Sequence, residues 1–186
     1  IKDIGTVERL NNLKNIIDSR IKLRLTNART VLLDRDGTLN KINGHIADYS
    51  GVQVLEEASK LSQTIRSLGI DSYIITNQPV IARGEATFEQ VLLLTKKLLD
   101  DLCLPIETKH IYICPHYPES GFQGEIKELK INCTCRKPSV GLLLRAAEEN
   151  IFRLTKSFFI GDTITDMQAA VRVGARGIHV HSDSYS

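Results

Sequence analysis

Five apolar runs of strand length punctuate the chain: TVLLD at 30–34, SYIIT at 72–76, KHIYIC at 109–114, SFFIGD at 157–162 and RGIHV at 176–180. The first is apolar without alternation until it meets its acid, as expected of a strand covered on both faces of a parallel sheet, and the next three repeat that plan. Between the runs the period changes. Val52, Leu55, Ala58, Leu61, Ile65 and Leu68 recur at spacings of three and four, which predicts a helix over 52–68 that Gly69 stops. A second helix is predicted over 88–99, where Thr87 and Gln90 can form a capping box, with further helices over 139–149 and 165–173, the last ended by Gly174. Strands alternating with helices of this length predict right-handed βαβ units in an α/β fold, an open, mostly parallel Rossmann-like sheet with helices on both faces.

Ligands in such sheets bind beyond the carboxyl ends of the strands. Asp34, Thr76, Cys114 and Asp162 all fall at such ends. Asp34 and Asp36 flank Arg35, and Gly37 and Thr38 permit a turn that returns the second acid toward the first. Two carboxylates near one point repel unless a cation lies between them. With Asp162 at another strand end and Asp166 a helical turn later, they make an oxygen-rich site suited to Mg²⁺. Each Asp alone is as readily a cap or turn residue; two acid pairs after two apolar strands are harder to assign that way. Thr76 and Asn77 can donate hydrogen bonds there, and Lys137 offers a point charge to a phosphoryl oxygen.

Residues 115–138 carry little apolar periodicity and make a long connection for a compact domain. Cys114 and His116 at one end and Cys133 and Cys135 at the other supply three sulfurs and an imidazole, enough for a closed tetrahedral Zn²⁺ site that clamps the loop. The alternative is a set of buried thiols beside a surface histidine. Cys103, in LDDLCLP, is expected in the core.

The ordered set DRDGT at 34–38, TNQ at 76–78, RKP at 136–138 and GDTITD at 161–166 resembles the haloacid dehalogenase-like superfamily of phosphohydrolases, over about 150 residues from Thr30 to near His181. The resemblance implies that Asp34 is a nucleophile forming an aspartyl-phosphate. Asp36 would protonate the leaving oxygen and then activate water, which favours a phosphatase over a phosphotransferase. It implies Mg²⁺ held by the Asp34 carboxylate, the Asp36 carbonyl and the Asp162 carboxylate, with Thr76 and Lys137 on the phosphoryl group and Asp166 supporting them. With ARG at 82–84 and the cysteine cluster, the set resembles the heptose-bisphosphate phosphatase and histidinol-phosphatase branch, compact members without a large cap domain. That implies removal of the 7-phosphate of a D-glycero-D-manno-heptose 1,7-bisphosphate, with Arg136 toward the distal phosphate and Gln78 and Arg83 lining the pocket. Pro79, Val80 and Ile81 depart from the Ser-Gly-Ile of many members, replacing a flexible turn with a stiff apolar one.

A net charge of +2 and an aromatic share of 5% argue against a nucleic-acid groove with stacking rings. No apolar run approaches the roughly 18 residues needed to cross a bilayer, and no secretory signal opens the chain, so a cytoplasmic location is expected. Residues 1–27 read as an extension with a helix from about Thr6, and IKDIGTVERL resembles the tail of a sugar-1-phosphate nucleotidyltransferase, which implies a fused partner domain ahead of a phosphatase domain at 28–186. Met167 is the only methionine, so a longer natural chain is expected. Histidinol-phosphate phosphatase, or another small phosphomonoesterase, is the alternative activity. A zinc-stabilised interaction module without catalysis is the alternative of another class.

Overall fold

The computed structural model describes residues 29–41 and 49–180; the helix expected from Thr6 and the lead at 1–27 lie outside them. Strands β1 (Thr30–Leu33), β2 (Asp71–Asn77), β3 (Ile111–Cys114), β4 (Ser157–Gly161) and β5 (Arg176–His179) form one sheet in the order β3-β2-β1-β4-β5. Every adjacent pair is parallel.

Successive side chains of a strand point to opposite faces, so each apolar run feeds two cores. Val31, Leu33, Ile74, Phe158 and Ile160 point to one face, where α1 (Glu56–Leu68) brings Ala58 and Ile65 and α3 (Phe88–Asp101) brings Val91, Leu98 and Leu99. Leu32, Tyr73, Ile75 and Phe159 point to the other, against Leu142, Leu143 and Ala146 of α4 (Gly141–Glu149) and Ala169 and Ala170 of α5 (Ile164–Arg172). Helices before β3 cover one face and helices after it cover the other. The chain therefore reverses direction across the sheet between β1 and β4, and a crevice opens at their carboxyl ends.

Local signals act as the sequence suggests at two helix ends. Thr87 and Gln90 form the full capping box of α3, and Gly69 ends α1 in the left-handed conformation, with φ 61°. Helix α1 starts at Glu56 instead of Val52, because residues 53–55 are held extended: Lys41 N–H donates to Gln53 O and Leu55 N–H to Leu39 O. A short helix, α2 (Pro79–Ala82), was not anticipated; Pro79 occupies its first turn, where a missing N–H costs nothing. Cys103 is exposed, contrary to expectation. It follows α3 with φ 52°, between buried Leu102 and Leu104, and this turn swings it outward. No helix among the described residues is long and apolar enough to cross a membrane.

Candidate active site

The β1 ladder runs one residue past the strand, since Asp34 N–H donates to Ile160 O at 2.9 Å, and this fixes Asp34 at the sheet edge beside β4. The chain then turns at once: Leu39 N–H donates to Arg35 O and Gly37 N–H to Asn40 O. Gly37 has φ 76°, and a Cβ there would lie 1.9 Å from Asp162 Oδ2. Across the crevice β4 ends at Gly161, where a Cβ would lie 2.5 Å from the Asp166 carboxyl carbon. Bare backbone at both places lets the two acids close on Asp34. Asp166 also caps its own helix, accepting from Thr163 N–H at 3.0 Å and from the Thr163 hydroxyl at 2.6 Å.

Lys137 lies at the centre. Its Nζ is 2.6 Å from Asp34 Oδ1 and 2.6 Å from Asp166 Oδ1, and donates to Ile75 O at 2.9 Å. Its backbone is held to the end of β2 by Asn77: Lys137 N–H donates to Asn77 Oδ1 at 3.0 Å, and Asn77 Nδ2 donates to Lys137 O at 3.2 Å. Burial pushes the Lys137 ammonium down, but the two carboxylates outweigh it and the net shift is upward. Burial pushes Asp34 up to about 7, a rise that Lys137 offsets only partly and Asp166 reinforces. Burial and the Asp166 charge likewise raise Asp162.

Asp34, Asp162 and Asp166 bring oxygens within 4.8 Å of one another. Both Asp166 oxygens already face protein donors, whereas Asp162 Oδ1 is buried without a hydrogen-bond partner among the described residues. A buried lone-pair oxygen beside a second carboxylate is the chemistry of a hard-cation site, so the donor set fits Mg²⁺.

Asp36 is held differently. Its Oδ1 accepts from Arg35 Nε at 3.0 Å and Asn40 Nδ2 at 3.0 Å, and its Oδ2 from Arg35 Nη2 at 2.8 Å and Gln78 Nε2 at 2.7 Å. Burial raises this carboxyl, but Arg35 and the other donors outweigh burial and hold it below the usual carboxylate range. Its side chain stays 31% exposed, so the crevice can reach it. Arg35 is buried at 2% and continues outward to Thr95 Oγ1 at 3.2 Å and Gln78 Oε1 at 2.9 Å.

The structure thus brings Asp34, Asp36, Thr76, Lys137, Asp162 and Asp166 to one edge of the sheet. Asn77 and Gln78, expected to face substrate, have their side-chain amides engaged by protein groups. Arg35, Asn40, Thr95 and Thr163 were missed. Thr95 had a signal, a hydroxyl at the helical spacing of buried Val91 and Leu98; Thr163 opens a Thr-x-x-Asp capping box.

In the long loop, Cys135 Sγ lies 3.2 Å from Cys114 Sγ, Cys133 Sγ and His116 Nδ1, while Cys114 Sγ is 3.7 Å from Cys133 Sγ and 3.8 Å from His116 Nδ1. Tetrahedral zinc with sulfur at about 2.3 Å needs sulfurs about 3.8 Å apart, so the cluster can hold a metal ion. Arg136 and Lys137 follow it directly. Beyond the cluster the loop docks on α2: Ile126 N–H donates to Ala82 O at 2.9 Å, and a Cβ at Gly84 would lie 1.9 Å from Gly124 O. The Arg83 guanidinium is 4.5 Å from both the Tyr117 and Phe122 ring centres, and Arg136 is 5.0 Å from Tyr117. Arg83 and Arg136 therefore share one wall of the loop.

A strand-tip carboxylate, a paired second acid and a buried lysine between carboxylates, all at the switch point of a parallel sheet, are the arrangement of the haloacid dehalogenase-like fold. The comparisons agree. The HAD-hydrolase-like family model matches residues 134–186. The chain is 36% identical over 142 residues to the D-glycero-beta-D-manno-heptose-1,7-bisphosphate 7-phosphatase of Yersinia pestis, covering 76% of this chain and 73% of that one. Against the enzyme of the same name from Escherichia coli K12, identity is 34%, covering 76% and 72%. A putative HAD-like phosphatase from Mesorhizobium loti superposes with a TM-score of 0.68 at 26% identity, covering 81% of this chain and 71% of that one. The D,D-heptose 1,7-bisphosphate phosphatase of B. bronchiseptica, solved with magnesium and phosphate, shares the fold with a TM-score of 0.67 at 24% identity, covering 80% and 78%. The chain belongs to the D-glycero-β-D-manno-heptose-1,7-bisphosphate 7-phosphatase family of the haloacid dehalogenase-like superfamily, and is a phosphoric monoester hydrolase.

Proposed function

We propose that the protein removes the 7-phosphate of D-glycero-β-D-manno-heptose 1,7-bisphosphate. The carrying observation is the Lys137 ammonium at 2.6 Å from both Asp34 and Asp166, which leaves a nucleophilic carboxylate beside a fixed cation at the crevice. The substrate follows from the names of relatives that match three quarters of the chain.

In this reading an Asp34 oxygen bonds to phosphorus as the P–O bond to the sugar breaks; Asp36, ionised in the free site, takes up a proton from solvent as substrate binds and gives that proton to the departing oxygen. Water then attacks the aspartyl-phosphate, Asp36 takes the water's proton, and inorganic phosphate leaves. Lys137 and the Thr76 hydroxyl hold phosphoryl oxygens; Asp166 holds Lys137. Asp34, the Asp36 carbonyl and Asp162 would hold Mg²⁺, which when bound neutralises charge on the transferring group. Asn77 acts through the backbone of Lys137. Zinc is the ion the loop cluster suits best, a structural clamp with all four ligands from protein. Arg136 and Arg83, on the loop wall, belong to the side of the crevice that meets the distal phosphate. The division into a lead at 1–27 and a phosphatase domain at 28–186 is part of the same proposal, and a fused nucleotidyltransferase rests on IKDIGTVERL alone.

The test is kcat/KM for phosphate release, with Mg²⁺, on both anomers of the heptose bisphosphate beside histidinol phosphate. The β anomer should win by about a hundredfold, worth about 2.7 kcal/mol in the transition state. Comparable slow rates on all three would withdraw the sugar assignment.

A further inference from the structure

We propose that Gln78 is a positioning residue that ties the proton-transfer group Asp36 to the phosphoryl anchor Thr76, setting the aim of both without touching substrate. The proposal rests on the catalytic roles given above to Asp36 and Thr76.

The geometry is that of a branch point. One nitrogen, Gln78 Nε2, donates to Asp36 Oδ2 at 2.7 Å and to Thr76 Oγ1 at 2.8 Å. The amide's other end, Oε1, accepts from Arg35 Nη2 at 2.9 Å, so the guanidinium fixes which way the amide faces. Arg35 is itself anchored to Thr95, whose hydroxyl donates onward to Val91 O at 2.7 Å. Every proton in the chain from α3 to the crevice therefore has an assigned direction. Thr76 can receive from Gln78 only through its oxygen, so its own proton is left to point at a phosphoryl oxygen. Asp36 Oδ2 accepts a hydrogen bond from the second Nε2–H, which holds its carboxylate on the same side as that hydroxyl.

Gln78 is 2% exposed, and its backbone N–H donates to Cys114 O at 2.8 Å, extending the β2–β3 ladder. Both of its amide protons and its amide oxygen are engaged by protein groups, which leaves the side chain no donor to offer substrate. A buried amide with three polar partners at the end of a strand is more than filler, because each partner except Arg35 belongs to the reacting edge. An apolar residue of the same size would keep the packing and release both groups at once.

The experiment compares kcat/KM on the heptose bisphosphate with kcat/KM on p-nitrophenyl phosphate, in wild type, Gln78→Met, Gln78→Glu and Asp36→Asn. A sugar alkoxide needs a proton to leave, whereas p-nitrophenolate does not, so loss of aim at Asp36 shows as a larger drop on the sugar substrate. The ratio of the two constants is independent of how much of a variant is folded, so a merely structural defect would not move it. The expected result is a ratio that falls at least tenfold in Gln78→Met, with Gln78→Glu moving the same way, on top of a loss common to both substrates from Thr76. An unchanged ratio in both Gln78 variants, with a fallen ratio in Asp36→Asn, would overturn the inference and leave the proposed function standing. An unchanged ratio in Asp36→Asn, or no phosphate release by the wild type, would overturn both.

Discussion

Asn77 and Lys137 hold each other by reciprocal hydrogen bonds, the side-chain amide of one closing on the backbone N–H and C=O of the other at 3.0 Å and 3.2 Å. The end of β2 thereby fixes the peptide that carries the active-site cation. Asn77→Ala should cost about 1–3 kcal/mol of unfolding free energy in urea, since two buried backbone groups lose their partners. Its kcat should fall further than its KM rises, because the ammonium loses its aim while the pocket remains. A variant with wild-type kcat would show that the bracket only serves stability.

Lys137→Met replaces the ammonium with an apolar end between two buried acids. Removing one partner of a buried ion pair costs about 3–5 kcal/mol. Denaturation of the metal-free protein should show a loss of that order. Activity should drop by a factor of at least about 100, as for removal of a group that stabilises transition-state charge. Retention of more than a tenth of the activity would remove Lys137 from the phosphoryl group.

Asp34, raised by burial from an ordinary 3.8 to about 7, should make metal binding at the proposed site depend on pH. Between those values the native protein keeps a proton that the unfolded chain has lost, so this residue's contribution to metal-free stability declines as pH rises through that window. A cation must displace the same proton. Apparent Mg²⁺ affinity should rise by up to about tenfold per pH unit toward pH 7 and level off above it. Calorimetric titration between pH 5.5 and 8.5, as about three chosen decades of acidity, checks this. In Asp34→Asn the slope should shrink to the part that Asp162, also raised, contributes, and a slope unchanged there would assign the proton to another group.

Cys133→Ala opens the loop cluster while leaving every carboxylate in place. Zinc content should fall from one ion per chain to none, with thermal stability and kcat/KM falling together, because Cys135 leads directly into Arg136 and Lys137. Full activity in a zinc-free, equally stable variant would separate the cluster from the site.

Strands β1 to β4 were legible in the sequence because they are buried on both faces and therefore read as apolar runs that end near a polar or sulfur-bearing residue, whereas β5 buries only Ile178. Asp34, Asp162 and the cysteine cluster were legible for a related reason: their positions at strand ends or paired spacings follow from local chain geometry. The hydrogen-bond partners of Asp36 were not. Arg35 meets Gln78 across 43 residues of sequence and Thr95 across 60, and such meetings depend on how α3 packs against the sheet. Local signals also fell short where tertiary pairing overrode them. Residues 53–55 carry a helical spacing but pair with the turn after β1, and Cys103 has apolar neighbours but sits on the outward bend of its turn.

Gly37 and Gly161 border the two carboxylates that face Asp34, and neither contributes a functional group of its own. The space they leave is nonetheless occupied by the Asp162 and Asp166 carboxylates. A single methyl group at either position would evict a carboxylate as surely as its deletion, so the smallest possible mutation here is among the most damaging. Vulnerability in this protein is thus set partly by atoms it does not have, and a survey of its side chains alone would overlook two of the positions least able to change.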